Sequence, residues 1–98
     1  MTDKEFAEHA EKWEHDTSFM SSTTQIMAHP SAKEIINAGL DVVPCIIAHY
    51  QVSASVRWDI ALQEIIGVCP YSKKNRGYVL SNRNSWVVWW RKNKEKLT

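Results

Sequence analysis

The chain has 98 residues, enough for one modest hydrophobic core and not for two. Hydrophobic residues make up 44% and charged residues 23%, with only three glycines and three prolines, a composition that excludes disorder over the bulk of the chain. No stretch reaches the roughly 20 apolar residues of a membrane span, and the acidic start MTDKEFAEHAEKWEHD lacks the apolar run of a secretory signal, so a single helical domain over residues 1–98 in the cytoplasm is expected.

The net charge of +1 hides a strong asymmetry. Residues 1–72 carry four basic and ten acidic side chains, a balance of −6; from Lys73 onward eight basic residues face Glu95 alone, a balance of +7. Separated charge of this kind points to a partner, or to pairing within the chain.

In chain order, Thr2 and Glu5 have capping-box spacing, and Phe6, Ala10 and Trp13 recur on one helical face, which predicts a first helix from about Asp3 to His15. Thr17 to Thr24 is rich in hydroxyls and reads as a loop that feeds a cap at Ser21 or Ser22, with Gln25 placed to close a box on Ser22 and a short helical turn through Ile26 and Met27. His29 precedes Pro30 and is biased out of the helical region, so it suits a cap or a loop hydrogen bond.

The stretch His29 to Tyr50 reads as two short helices about a corner. Pro30 fits a first turn, Gly39 a left-handed exit with Leu40 supplying an apolar contact, and Asp41 a cap for the next helix, which tolerates Pro44 early. Val42, Val43, Ile46, Ile47 and Tyr50 give that helix a broad apolar face whose β-branched residues require burial for stability. Ser53 or Ser55 can cap a further helix, with Val56, Ile60, Ala61, Leu62, Ile65 and Ile66 apolar, Trp58 beside them and Gly67 as exit. Cys69 to Gly77 reads as the longest irregular connection. A last helix from Ser81 to Lys96 places Trp86, Trp89 and Trp90 on one side and ends in a basic tail that complements its dipole.

Two resemblances attach to these residues. Ile35 through Gly39, Val43, Pro44 and Ile47, followed by Val56-Arg57 and Ala61-Leu62 to Ile65, resembles a HEAT-type helical pair over about a third of the chain. Ser21, Ser22, His29, Pro30, Ile35, Ile36, Gly39, Val43, Pro44, Trp58, Ala61, Leu62, Ile65, Gly67, Pro70, Trp86 and Trp89 together resemble the pattern of a group of small uncharacterised bacterial helical proteins. That pattern often has aromatics where this chain has Ala32 and Asp59. The resemblance implies architecture and no mechanism. The expected fold is a compact, all-α bundle of four to five short helices with a HEAT-like central hairpin.

Candidate chemistry is sparse. Cys45 and His49, at i and i+4, can face one ligand, with Cys69 or His29 as further donors, but no second paired spacing supports a metal site and a buried structural cysteine is the better reading. A Cys45–Cys69 disulfide does not suit a cytoplasmic chain. Neither does Cys45 suit a nucleophile with His49 or His29 as base, because its apolar setting raises a thiol pKa. His9 and His15 belong to a solvated acidic face. No catalytic residue, cofactor or metal is therefore expected.

The candidate interaction surface is the basic C-terminal third: Lys73, Lys74, Arg76, Arg83, Arg91, Lys92, Lys94 and Lys96. Its tryptophans can be core, with the acidic first helix lying against the basic last one; with Tyr71 and Tyr78 they can stack on nucleic acid; or the basic residues can meet an acidic protein. The expected function is a small protein-binding or adaptor protein without catalysis, of a type that suits a bacterial or phage regulator or inhibitor, with a nucleic-acid-associated protein as the alternative.

Overall fold

A computed structural model describes residues 1–20, 22–53, 55–70 and 79–97. Among them are six α-helices and one 3-10 turn in a compact all-α bundle, one helix more than the composition and spacing suggested: α1 (Asp3–Asp16), α2 (Thr23–Met27), α3 (Pro30–Asn37), the 3-10 turn Gly39–Val42, α4 (Val43–Val52), α5 (Val56–Ile66) and α6 (Val79–Leu97). Residues 71–78, with Lys73, Lys74, Arg76, Tyr71 and Tyr78, lie outside the described residues.

The local signals mostly act as their chemistry requires. At α1 the capping box is complete: Glu5 N–H donates to Thr2 Oγ1 and Thr2 N–H donates to Glu5 Oε1, both at 3.1 Å, satisfying two donors that the first turn would otherwise leave bare. The Thr2 N–H bond to the carboxylate, and then the Thr2 hydroxyl, hold Glu5 below its ordinary pKa. His29 is extended, as a residue before proline should be, and its Nδ1 accepts from Ser31 N–H at 3.0 Å to cap α3. Ser55 caps α5 by accepting from Arg57 N–H. Gly39 (φ 68°) and Gly67 (φ 83°) are the only residues with positive φ among those described, and each stands where a helix must stop.

Three expectations fail locally. Ser22 occupies the N-cap of α2 without a side-chain bond. Asp41 does not cap α4, because the chain tightens into the 3-10 turn after Gly39 and passes the N-cap position to Val42. Leu40 is 44% exposed and contributes little to closing the corner. The corner turns the chain by 105° between α3 and the segment Gly39–Val52.

Packing follows the apolar stripes. α1 lies on α3, α3 on α5, and α6 on α4 and α5. Val42, Val43, Ile46, Ile47 and Tyr50 are all buried, and around them stand Trp13, Trp58 and Trp86, which have no exposed surface. Trp13 and Trp58 meet edge to face with centroids 5.1 Å apart, and Phe6 completes the cluster 5.7 Å from Trp58. Trp89 and Trp90 pack on the core from its margin, half-buried. The three tryptophans of α6 do share a side, but only Trp86 reaches the centre.

The acidic α1 does not lie along the basic α6. Ion pairs among the described residues are all between histidine and carboxylate, and none joins those two helices. No single described helix is long and apolar enough to cross a membrane.

Candidate docking face

α4 is buried along Ile46, Ile47 and Tyr50, so geometry places Ala48, Gln51 and Val52, at i, i+3 and i+4, on its opposite side, where all three are exposed. Val52 retains 83% of its surface. This stripe forms a ridge with a hollow on each flank.

On the α1 flank an open groove of about 730 Å³ is lined by Phe6 and Ala7, by Ala48 and Val52, and by the carboxylates of Asp3, Glu11 and Glu14. Cys45 and His49 also stand in its wall, which corrects the expectation of a fully buried cysteine. Their spacing along α4 aims both at α1, at two different acids. Cys45 Sγ donates to Asp3 Oδ1 at 3.2 Å. Partial burial, and then the neighbouring Asp3 carboxylate, push the thiol pKa up, so it stays protonated and is a poor nucleophile. His49 Nε2 lies 2.5 Å from Glu14 Oε1, while Ser53 Oγ donates to Glu14 Oε2 at 2.6 Å. The His49 ring is wedged edge-on to Trp58 at 4.9 Å and Phe6 at 6.0 Å. Glu14 thus fixes the imidazole as a structural element. No group of three or more histidine, cysteine or acidic side chains among the described residues is arranged to hold a metal ion, and Cys45 and Cys69 are both free thiols.

On the α6 flank a smaller hollow is bordered by Gln51, Arg83, Val87, Val88 and Arg91. Arg83 reaches across it and donates to the Gln51 carbonyl at 3.4 Å and to Asn84 Oδ1 at 3.2 Å. The basic residues singled out from the sequence are therefore not one patch. Arg83 and Arg91 face α4, whereas Lys92 borders a separate hollow with Pro70 and Trp89. Lys94 and Lys96 are exposed in the last turns. Trp86 is sealed in the core and offers no stacking surface.

Sequence reasoning passed over Asp3, Glu11, Glu14, Ala48 and Val52. The available signal was Val52, an apolar residue on the wrong side of α4. It also passed over the remaining polar links. Arg57 clamps the end of α1 by donating from Nε to Thr17 Oγ1 and from an Nη to the Thr17 carbonyl, both at 2.7 Å. His9 meets Ser31 Oγ at 3.2 Å, and His29 Nε2 meets Asp16 Oδ2 at 2.9 Å. His15 is exposed, as expected of a solvated acidic face.

No protein-family model matches the chain, and no curated protein and no solved structure matches it.

Proposed function

We propose that this is a small cytoplasmic protein-binding regulator that acts by occupying a surface and performs no catalysis. One observation carries the reading: the exposed α4 ridge, centred on Val52, lies between a carboxylate-lined groove and a hollow bordered by arginines. An apolar centre with charged margins is what a docking surface offers a partner, and the only thiol in the groove is held protonated. Phe19, 99% exposed in the loop after α1, adds a further apolar contact point. The α3–α4 corner serves in this reading as a HEAT-like scaffold that presents the ridge.

The test is affinity capture with the wild type against Val52→Asp, an exposed substitution that spares the core. A partner retained by the wild type and lost by the variant supports the reading; identical capture by both overturns it.

The exposed Arg91, Lys92, Lys94 and Lys96 favour a second reading, a nucleic-acid surface. It predicts DNA or RNA binding that weakens steeply with salt, and absence of binding at low salt removes it.

A further inference from the structure

The two flanks of the α4 ridge are opposite in sign. Asp3, Glu11 and Glu14 stand on one side of Ala48 and Val52, and Arg83 and Arg91 stand on the other, beside Gln51. We propose that this face binds the same face of a second copy of the chain, across a twofold axis through the ridge. The proposal deepens the docking reading above and rests on it.

The argument is one of symmetry and charge. A twofold rotation about an axis that lies in the interface and runs along the ridge exchanges its flanks, so an acidic, apolar, basic sequence of strips is laid on a basic, apolar, acidic one. The acidic strip of each copy then meets the basic strip of the other, twice, and the Val52 side chains meet near the axis. A partner of one charge sign complements one flank and is repelled by the other. Within one molecule the two strips do not neutralise each other, because α4 stands between them and no ion pair among the described residues joins α1 to α6. A head-to-tail contact between copies would also match charges, but it would leave one unmatched strip at each end and keep growing.

The test is sedimentation velocity on the full chain over a concentration series at low and high salt. The expected result is a reversible monomer–dimer equilibrium that salt weakens. Glu11 and Arg91 are exposed and lie outside the core, so Glu11→Lys and Arg91→Glu should each leave the thermal melt unchanged. Each should weaken dimerisation by about tenfold, since the twofold axis applies every reversal twice. The decisive sample is their equimolar mixture. In a hetero-pair the lysine introduced in one copy faces the glutamate introduced in the other, while the unaltered Arg91 of the first faces the unaltered Glu11 of the second. Every contact then joins unlike charges, so the mixture should recover the dimerisation that each variant alone loses.

A wild type that stays monomeric throughout the series overturns the proposal, as does a mixture no better than its components. Oligomers that grow without limit overturn the closed twofold pair. If the chain is monomeric but Val52→Asp still loses a captured partner, self-pairing falls while the docking reading stands. A dimer whose capture of other proteins ignores Val52→Asp supports self-pairing and removes the regulator reading.

Discussion

α1 is fastened at intervals along its length, whereas α6 is anchored at depth. Along α1 and its C-cap, His9 and Asp16 bond α3 and its N-cap, Glu14 bonds α4 and Thr17 bonds α5, at positions that are half-buried or exposed for all but Thr17. Trp13 adds a buried bond from its indole N–H to the Ile26 carbonyl at 2.9 Å. On α6, Trp86 enters the core and its indole N–H donates to Asp59 Oδ1 at 2.7 Å, where Asp59 is only 3% exposed and also accepts from Gln63 at 3.0 Å. Bonds that water can replace are each worth little, while a bond to a carboxylate in a water-excluded site is costly to break. Apart from Trp13, the polar fastenings of α1 should therefore be lost one by one at little cost each, whereas loss of the α6 anchor should be abrupt.

The largest expected effect is Trp86→Ala, at about 3–5 kcal/mol, through the cavity it leaves and the loss of edge-to-face packing on Trp89 at 5.6 Å. A shifted urea midpoint at constant slope would measure it. Asp59→Ala should cost about 2–3 kcal/mol because the buried indole N–H loses its acceptor. Asp59→Asn retains an acceptor oxygen and should cost clearly less. If the two are equal, the bond to Trp86 is not what makes the α6 anchor strong.

On the α1 side, Arg57→Ala should cost about 1–2 kcal/mol, the loss of two charge-assisted bonds to Thr17. A loss larger than that of Asp59→Ala would reverse the ranking of the two helices. Thr2→Ala should cost about 1 kcal/mol by opening the capping box, read from a thermal melt.

The smallest effect is one of pH. Asp16 is held below its ordinary pKa, first by its bond to His29 and then by the one to His15. A lowered folded-state value means that the contribution is complete above the unfolded-state pKa and is lost as pH falls through the folded one. Asp16→Asn should remove that contribution near neutrality, leaving the slope with pH there unchanged, and should flatten the fall in stability across the acidic window. An acid-range slope in Asp16→Asn equal to that of the wild type would show that the bonds to Asp16 do not carry the effect.

Local geometry was legible in the sequence where one residue type has one cheap solution. Thr2 with Glu5, His29 before Pro30, and Gly39 and Gly67 each met a need set within four residues. The apolar face of α4 was legible by periodicity. What escaped depends on which elements meet. Asp59 looks like an ordinary first-turn acid of α5 until Trp86 is brought against it. Arg57, placed beside the N-cap of α5, gives no sign that it reaches 40 residues back to Thr17. Asp41 had suitable cap chemistry but lost its position when Gly39 started a 3-10 turn. The candidate docking face was hidden for the same reason: Asp3, Glu11 and Glu14 are a solvated stripe on an isolated helix and become one wall of a groove only beside α4. The basic residues of α6 are divided by helical rotation: Arg83 and Arg91 border one hollow and Lys92 another.

The bond from Trp13 to the Ile26 carbonyl has a kinetic consequence. α2 is five residues long, too short to persist alone in water. Besides burial of Ile26, that indole is a main tie between the segment and the rest of the fold. The backbone amides of α2 should accordingly exchange with deuterium by a local opening that leaves α4 and α5 closed. Each such opening strips the acceptor from a buried indole, so the indole proton of Trp13 should exchange in step with the α2 amides, while that of Trp86 waits for global unfolding.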